Sequence, residues 1–424
     1  MQSWVCPMSV KFKTRNKWLL YYQGCLAIGV IFAFFTRLDA YLTVNQLLIS
    51  PVGWMLPYFA LTIPLFILVK QRIPSNSLLY WCLGYFTVTA ISYSFFPSSE
   101  ASFQALIDRS FSSVFLLVTN FLFMNQQVLS WTRGAIAIAT LVGILNNFYQ
   151  FSIDPSAFGG LVEGRATGLY LNPNDCSNSL ILGMIFTVRI FPPKFRVFWI
   201  LLVGFGIVLT LSRGGILCWI ITIITLSLTR VIYLKQFILW ILGIGILLFF
   251  GFGDMTDSWN QLLDSNGLER LEGMIDGSTV EDASAVERQE VARKGWEMFL
   301  EHPIFGYGVG STFDPSITRF TISTHNMYLL HLAEYGALGI LILPLAIYSV
   351  IHRAQSDIRK IGIGFTVFIL VSSFFCHTVL SLNSFLISFA LMAVMSEMSQ
   401  TRPNRVSSLR EYTTVALSDS QLPE

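Results

Sequence analysis

Residues 134–153 read GAIAIATLVGILNNFYQFSI, an uncharged run directly after Arg133 and directly before Asp154-Pro155. About 20 mostly apolar residues carry a helix across the hydrocarbon core of a bilayer, so this stretch reads as a membrane span. The rest of the chain repeats the pattern. The 424 residues are 54% hydrophobic and 12% charged, with 36 Phe and a mean hydropathy of +0.61. An ordinary soluble protein carries about 25% charge, so a soluble enzyme is excluded. The formal net charge of +2 offers no basic field for nucleic acid. The six Cys have no CxxC spacing, and Cys25, Cys82, Cys218 and Cys376 lie in or beside apolar stretches. They read as buried thiols rather than a disulfide framework or a zinc site.

About twelve spans emerge between polar breaks: 18–36, 51–69, 78–96, 110–123, 134–153, 176–188, 197–211, 214–228, 236–252, 327–351, 361–375 and 379–395. Lys11 to Lys17, Lys70 and Arg72, Arg133, Arg189 to Arg196, Arg230 and Lys235, Arg353 to Lys360, and Arg402 to Arg410 fall on every second connection. The positive-inside rule makes those connections and both termini cytoplasmic. The N-terminal basic segment precedes an apolar run with no small-residue cleavage site near Arg37, which reads as a retained signal anchor. The expected division is a cytoplasmic N-terminus (1–17), nine spans (18–252), an external loop domain (253–324), three more spans (325–398) and a polar cytoplasmic tail (399–424) with no evident motif. The fold class is all-α integral membrane protein.

The external segment 253–324 holds about half of the acidic residues, together with Trp259, Trp296 and several glycines, and reads as a folded domain. Val280 to Leu300 has helical spacing, with Val286, Val291, Gly295, Trp296 and Phe299 near one face. His302-Pro303 ends that helix. Gly306, Gly308 and Gly310 resemble a phosphate loop superficially, but no strand precedes them and no helix with Lys follows, so they read as turn glycines.

Ionisable residues at membrane depth need a partner or a function, and several gather on the outward side. Arg213 sits in the turn Leu211-Ser212-Arg213-Gly214-Gly215. Arg165 lies in Gly164-Arg165-Ala166-Thr167-Gly168, before Asn172-Pro173-Asn174-Asp175, which can cap a helix. Arg288 is on the external helix, and His325 opens the tenth span. Guanidinium forks bind phosphate oxygens in bidentate fashion, and a histidine kept neutral by neighbouring cations accepts a proton near pH 7. Structural alternatives stand beside each: an interface anchor for Arg213, a loop stabiliser for Arg165, a partner of Glu287 for Arg288 and a span cap for His325. His331 and Glu334, three apart on one helix face, read as a structural pairing with each other or with an arginine. Asn146 and Asn147 read as interhelical hydrogen bonds, and His377 as structural. Asp254 and Asp257 imitate a metal pair without DxD, HExxH or a His/Asp cluster, so no metal is expected.

With these residues in place, the chain resembles the O-antigen ligase and polymerase family of bacterial polytopic membrane glycosyltransferases. The match rests on Arg165-Ala-Thr-Gly168 with Asn172-Pro-Asn174, on Leu211-Ser-Arg213-Gly-Gly215, and on Arg288 through Trp296 to Pro303-Ile-Phe-Gly306-Tyr-Gly308. It ends with His325-Asn326 followed by Gly336-Ala-Leu-Gly339. The resemblance covers about Arg165 to Gly339.

What it implies is a GT-C-like enzyme of the bacterial inner membrane, moving a glycan from an undecaprenyl-diphosphate donor at the periplasmic face, inverting and without metal or other cofactor. His325, Arg213 and Arg288 are then the expected catalytic residues. Arg165, Asn326, Asn172 and Asn174 are the expected substrate-binding residues, with Gly336 and Gly339 packing behind the site. Ligase and polymerase differ in acceptor: lipid A-core for the first, another lipid-linked glycan for the second. The single large outer loop and the His325 to Gly339 spacing favour a ligase, while the acidity of that loop favours a polymerase. A lipid-linked glycan transporter is the alternative of another class, disfavoured because the unusual residues cluster at the outer edge instead of the midplane. Membrane lipid is an expected partner and nucleic acid is not; the oligomeric state is open.

Overall fold

The computed structural model describes residues 17–45, 51–69, 75–96, 99–159, 165–233, 235–237, 283–318 and 324–400. Among them there are helices and turns and no strand. The membrane-depth helices are α1 (Lys17–Val30, continued by a wide turn Ile31–Phe35), α3 (Pro51–Leu68), α4 (Asn76–Phe95), α5 (Glu100–Phe123), α6 (Gln126–Ser152), α7 (Pro173–Thr187), α8 (Pro193–Val208) and α9 (Arg213–Leu228). A short helix, α2 (Leu38–Val44), follows α1. After the external helix α10 (Ala283–Glu301) come α11 (Met327–Tyr335), α12 (Ile342–Ile351), α13 (Ser356–Ser372) and α14 (Asn383–Gln400). Among the described residues five stretches are long and apolar enough to cross a membrane, namely Lys17–Phe35, Asn76–Phe95, Glu100–Phe123, Gln126–Ser152 and Met327–Ile351; Gly53–Leu68 and Arg213–Leu228 are shorter apolar helices. The ninth expected span, 236–252, and most of the segment 253–282 lie outside the described residues.

Burial separates the helices into a centre and a rim. Helix α7 is buried from Cys176 to Thr187, and α14 from Asn383 to Ser396. Both are apolar or small all round, which is the signature of a helix with no lipid face. They meet through a hydrogen bond from the Ser179 hydroxyl to the Ser384 hydroxyl at 3.0 Å. Gly183 lets α6 approach α7 closely, because a Cβ there would lie 3.1 Å from the Thr140 Cβ. At the rim, Leu61, Ile63, Phe66 and Ile67 of α3 and Leu83, Phe86, Val88 and Ile91 of α4 are exposed. In water such surfaces would be unstable patches; in a bilayer acyl chains cover them. The protein is thus a multi-pass membrane protein.

Three of the basic connections, those of Arg133, Arg189 and Arg353, lie together at one end of the bundle. There the Arg133 Nε donates to the Phe186 carbonyl at 3.0 Å, Arg189 pairs with Asp357 at 2.5 Å and Arg353 with Glu397 at 3.3 Å. These three are among the seven basic connections that the charge pattern groups together; Lys70, Arg72 and Arg402 to Arg410 lie outside the described residues. The described cysteines are all free thiols, with Cys25 exposed and the others buried.

Several boundaries differ from the sequence reading, α6 for one starting at Gln126 instead of 134 and the last helix at Asn383 instead of 379, and two others bear on the site. Helix α5 starts at Glu100, well before the expected Ser110, on a Ser99–Ser102 capping box. It carries Arg109 into the bundle, where that charge is paired. The expected continuous span 327–351 is broken: α11 ends at Tyr335, Gly336–Leu341 forms a tight 3-10 turn, and α12 resumes at Ile342. The break admits the segment after α10. Tyr307 N–H donates to the Ala333 carbonyl at 2.8 Å, Gly308 N–H to the Glu334 carbonyl at 3.0 Å, and Ala337 N–H to the Pro303 carbonyl at 2.8 Å.

Candidate functional site

At the end opposite the basic connections, the sequence motifs meet. Arg165 lies beside the end of α8, with its Nε donating to the Thr210 carbonyl at 2.9 Å and Ala166 N–H reaching the Leu209 carbonyl at 3.3 Å. The following Thr167 and Gly168 N–H groups both donate to the Gln150 Oε1, at 2.7 and 2.8 Å. Gln150 was not singled out by sequence, since a lone glutamine at a span end carries no pattern. Asn172 caps α7, its Oδ1 accepting from Asn174 N–H at 2.8 Å. The Asn174 side chain then accepts from the Ser212 hydroxyl at 2.7 Å, and the same Ser212 oxygen caps α9 by accepting from Gly215 N–H at 3.1 Å. One serine therefore joins the Asn-Pro-Asn motif to the Ser-Arg-Gly-Gly motif.

Arg213 is the first residue of α9 and is exposed. It makes no ion pair with any described residue. A guanidinium at a helix N-terminus adds a formal charge to a backbone already favourable to anions. Its neighbour Gly214 faces Phe375, whose Cγ would be 3.4 Å from an added Cβ. Two residues on, the His377 ring lies 5.5 Å from that of His325, edge to face, and 5.8 Å from Phe313. Burial and then the nearby His325 hold the His377 imidazole low, at about 4, so it is neutral at physiological pH. Met327 N–H donates to the Ser373 carbonyl at 2.8 Å, fixing the start of α11 against this connection.

His325 has a left-handed backbone, φ 50°, unusual for a residue with a side chain and a mark of local constraint. Asn326 caps α11, its Oδ1 accepting from Tyr328 and Leu329 N–H at 2.9 and 3.1 Å; its oxygen is committed to the helix start. Arg165, Asn172, Asn174, Arg213 and His325 are thus brought to one end through continuous contacts. Arg288 lies on α10, its side chain outside the described residues. Gly336 and Gly339 lie deeper. Gly336 takes φ +64° beside the Ile304–Phe305 backbone, and an added Cβ on Gly339 would lie 2.5 Å from the His331 carbonyl carbon; both serve the break in the span.

Beneath the outer end is a charged node that the sequence showed only in half. Glu334 is fully buried and paired with Arg109, which also donates to the Tyr335 hydroxyl. The other Glu334 oxygen accepts from Gly310 N–H and the Thr312 hydroxyl, each at 3.0 Å. An arginine partner for Glu334 was among the expectations; its identity was hidden because Arg109 fell just outside the expected span. His331 does not pair with Glu334. It is buried beside the rings of Tyr85 and Tyr335. Asn147 donates across helices to the Cys176 sulfur and the Gly206 carbonyl, both at 3.1 Å, as expected. All three of Gly306, Gly308 and Gly310 have positive φ, which is turn chemistry. No group of three or more His, Cys, Asp or Glu suited to a metal occurs among the described residues; Asp254 and Asp257 lie outside them.

The helices and their lipid-facing rim define a polytopic membrane protein with a cationic site at one end of the bundle. Residues 197–344 match the family model described as O-antigen ligase, so the resemblance read from the sequence holds over that stretch. The match includes Arg213, Arg288, His325, Gly336 and Gly339; Arg165, Asn172 and Asn174 precede it. Among curated proteins none matches the chain. A solved structure described as "Structural coordination of polymerization and crosslinking by a peptidoglycan synthase complex" is similar at 12% identity and a TM-score of 0.44, over 78% of this chain and 100% of that one.

Proposed function

We propose that the protein is an O-antigen ligase-type glycosyltransferase of the bacterial inner membrane, moving a glycan from undecaprenyl diphosphate to a sugar hydroxyl of lipid A-core at the periplasmic face. The observation that carries this reading is the run of neighbours from Arg165 through Thr210 to Ser212, which also holds Asn174, and on through the Arg213 turn to Phe375, His377 and His325. In the proposed reaction the acceptor hydroxyl attacks the anomeric carbon as the bond to the diphosphate oxygen breaks, inverting that centre. His325 takes the hydroxyl proton. Arg213 and Arg288, with Arg165, stabilise the charge that develops on the departing diphosphate. A diphosphate leaves readily once its charge is matched, so these roles need neither a general acid nor a metal.

The topology proposed with it has twelve spans, both termini cytoplasmic, the boundaries given above, and residues 253–324 outside. A polymerase, with a second lipid-linked glycan as acceptor, is the neighbouring reading, favoured by the acidity of that loop. The test is transfer by purified protein with a defined lipid-linked donor, offering both acceptors without added metal. His325→Ala is expected to abolish transfer while the protein stays folded, and Arg213→Lys, which keeps charge and loses the fork, to slow it about 10-fold or more. Wild-type turnover by the His325→Ala protein would remove the base from this scheme, and transfer only to the lipid-linked acceptor would make the protein a polymerase.

A further inference from the structure

Three rings meet at the motif-bearing end of the bundle, each carried by a different stretch of chain. His325 directly precedes the cap of α11, His377 lies in the turn between α13 and α14, and Phe313 ends the 3-10 turn Ser311–Phe313 that follows α10. The His325 and His377 rings stand edge to face, 5.5 Å apart at 77°, and Phe313 packs against His377 at 5.8 Å and 59°. Both separations fall in the range where ring pairs attract.

Each ring is mounted on backbone that is itself tied down. The Thr312 hydroxyl donates to Glu334 at 3.0 Å, and Phe313 N–H to the Gly310 carbonyl at 3.0 Å. Beyond His377 the Thr378 carbonyl accepts from Ser381 and Leu382 N–H at 3.0 and 2.7 Å, and the Thr378 hydroxyl meets the Cys376 sulfur at 3.1 Å. The Thr324 hydroxyl donates to the Asn326 carbonyl at 2.9 Å, bridging His325, whose φ of 50° sets the direction in which its side chain leaves the backbone. What these bonds leave open is rotation of the His325 imidazole about its side-chain bonds. A neighbouring ring restricts that rotation.

Two roles are open to His377 beside a base: to take over its proton, or to hold its ring. Burial and then the nearby His325 keep the His377 imidazole at about 4, whereas an ordinary imidazole titrates near 6.5. A proton taken up by His325 therefore stays there, and the ring contact is what His377 has to offer.

We propose that His377 is a positioning residue for glycan transfer: its ring, with Phe313 packed against it, sets the direction in which the His325 imidazole meets the acceptor hydroxyl. This rests on the reading of His325 as the base.

Two substitutions separate the His377 ring from its nitrogens. His377→Gln keeps a polar group and loses the ring; His377→Phe keeps a ring and loses both nitrogens. In the transfer assay His377→Gln is expected to lower kcat about 2- to 10-fold at unchanged acceptor KM, the scale of one lost edge-to-face contact. His377→Phe should recover most of that loss. In protein without substrate, modification of His325 by diethyl pyrocarbonate, read by mass spectrometry, should run at least about twofold faster in His377→Gln than in wild type and return close to the wild-type rate in His377→Phe. A Phe protein as slow as the Gln protein would give the role to the nitrogens. Wild-type kcat in His377→Gln would leave His377 no role, and a raised KM at unchanged kcat would make it a binding residue. Each of these overturns the proposal, as would equal modification rates in all three proteins. Full transfer by His325→Ala would remove the base assignment by itself, whereas the modification rates report the ring contact without turnover, so the two failures are told apart.

Discussion

Arg109 and Glu334 are each held by the other in a region where water cannot replace a lost partner. Breaking a buried pair from one side leaves an uncompensated charge and costs about 3–5 kcal/mol. Glu334→Ala is therefore expected to lower the thermal unfolding temperature in detergent markedly, and an unchanged melting curve would show the pair to be irrelevant to stability. Replacing both partners by apolar residues should recover only part of the loss, because Gly310 N–H and the Thr312 hydroxyl also lose their acceptor. His377 makes a second prediction, with a defined sign. Its folded value, about 4, lies below the ordinary 6.5, so between those values the unfolded chain binds more protons than the folded one. Its contribution is fully present above about pH 6.5 and is lost as pH falls toward 4. A His377→Gln protein should lose less stability across that window than wild type, measured by unfolding at fixed pH steps; parallel curves would exclude this role.

The elements of the site are set by glycines that a larger residue cannot replace. At Gly215 a Cβ would lie 2.5 Å from the Ser177 Cβ, forcing apart the starts of α7 and α9 and with them the Ser212–Asn174 hydrogen bond. Gly215→Ala is expected to cost about 1–3 kcal/mol and to reduce transfer; full activity at normal stability would mean the two helix starts need not touch. At Gly336 both the positive φ and the Ile304–Phe305 backbone oppose a side chain, so Gly336→Ala should destabilise more than Gly215→Ala in the same melting assay. Most helices were legible because apolar runs and caps are local signals, and Ser99, Asn125, Asn172, Ser212 and Asn326 all cap helices as such residues do. Motif residues from Arg165 to His325 were legible as a group on one side of the chain's alternation, and their chemistry is the proposal tested by transfer. What the sequence concealed was pairwise: Gln150 under the Thr167–Gly168 turn, His377 beside His325, and Arg109 against Glu334. No local pattern marks a partner on a distant helix, and the break at Gly336 follows from a loop packed against it.

For the molecule as a whole, the proposed topology rests on the alternation of basic and motif-bearing connections, and sidedness tests it. In spheroplasts of producing cells, a membrane-impermeant maleimide should label Ser156→Cys and spare Gln355→Cys, and the reverse result would invert the assignment. Central burial of α7 and α14 was not readable in advance, since a helix apolar all round looks the same in sequence whether lipid or protein surrounds it.

The Arg109–Glu334 pair also bears on how the chain is made. Its members are 225 residues apart, so during synthesis the arginine-bearing helix enters the bilayer long before its carboxylate exists. A lone charge at the centre of an inserting helix costs about 2.5–3.5 kcal/mol. Until the tenth span emerges from the ribosome, α5 is thus a reluctant occupant of the membrane. A chain truncated at residue 300 and released should lose that helix to the aqueous side or to proteolysis, measurable by pulse-chase, whereas one truncated at residue 360 and released should keep it.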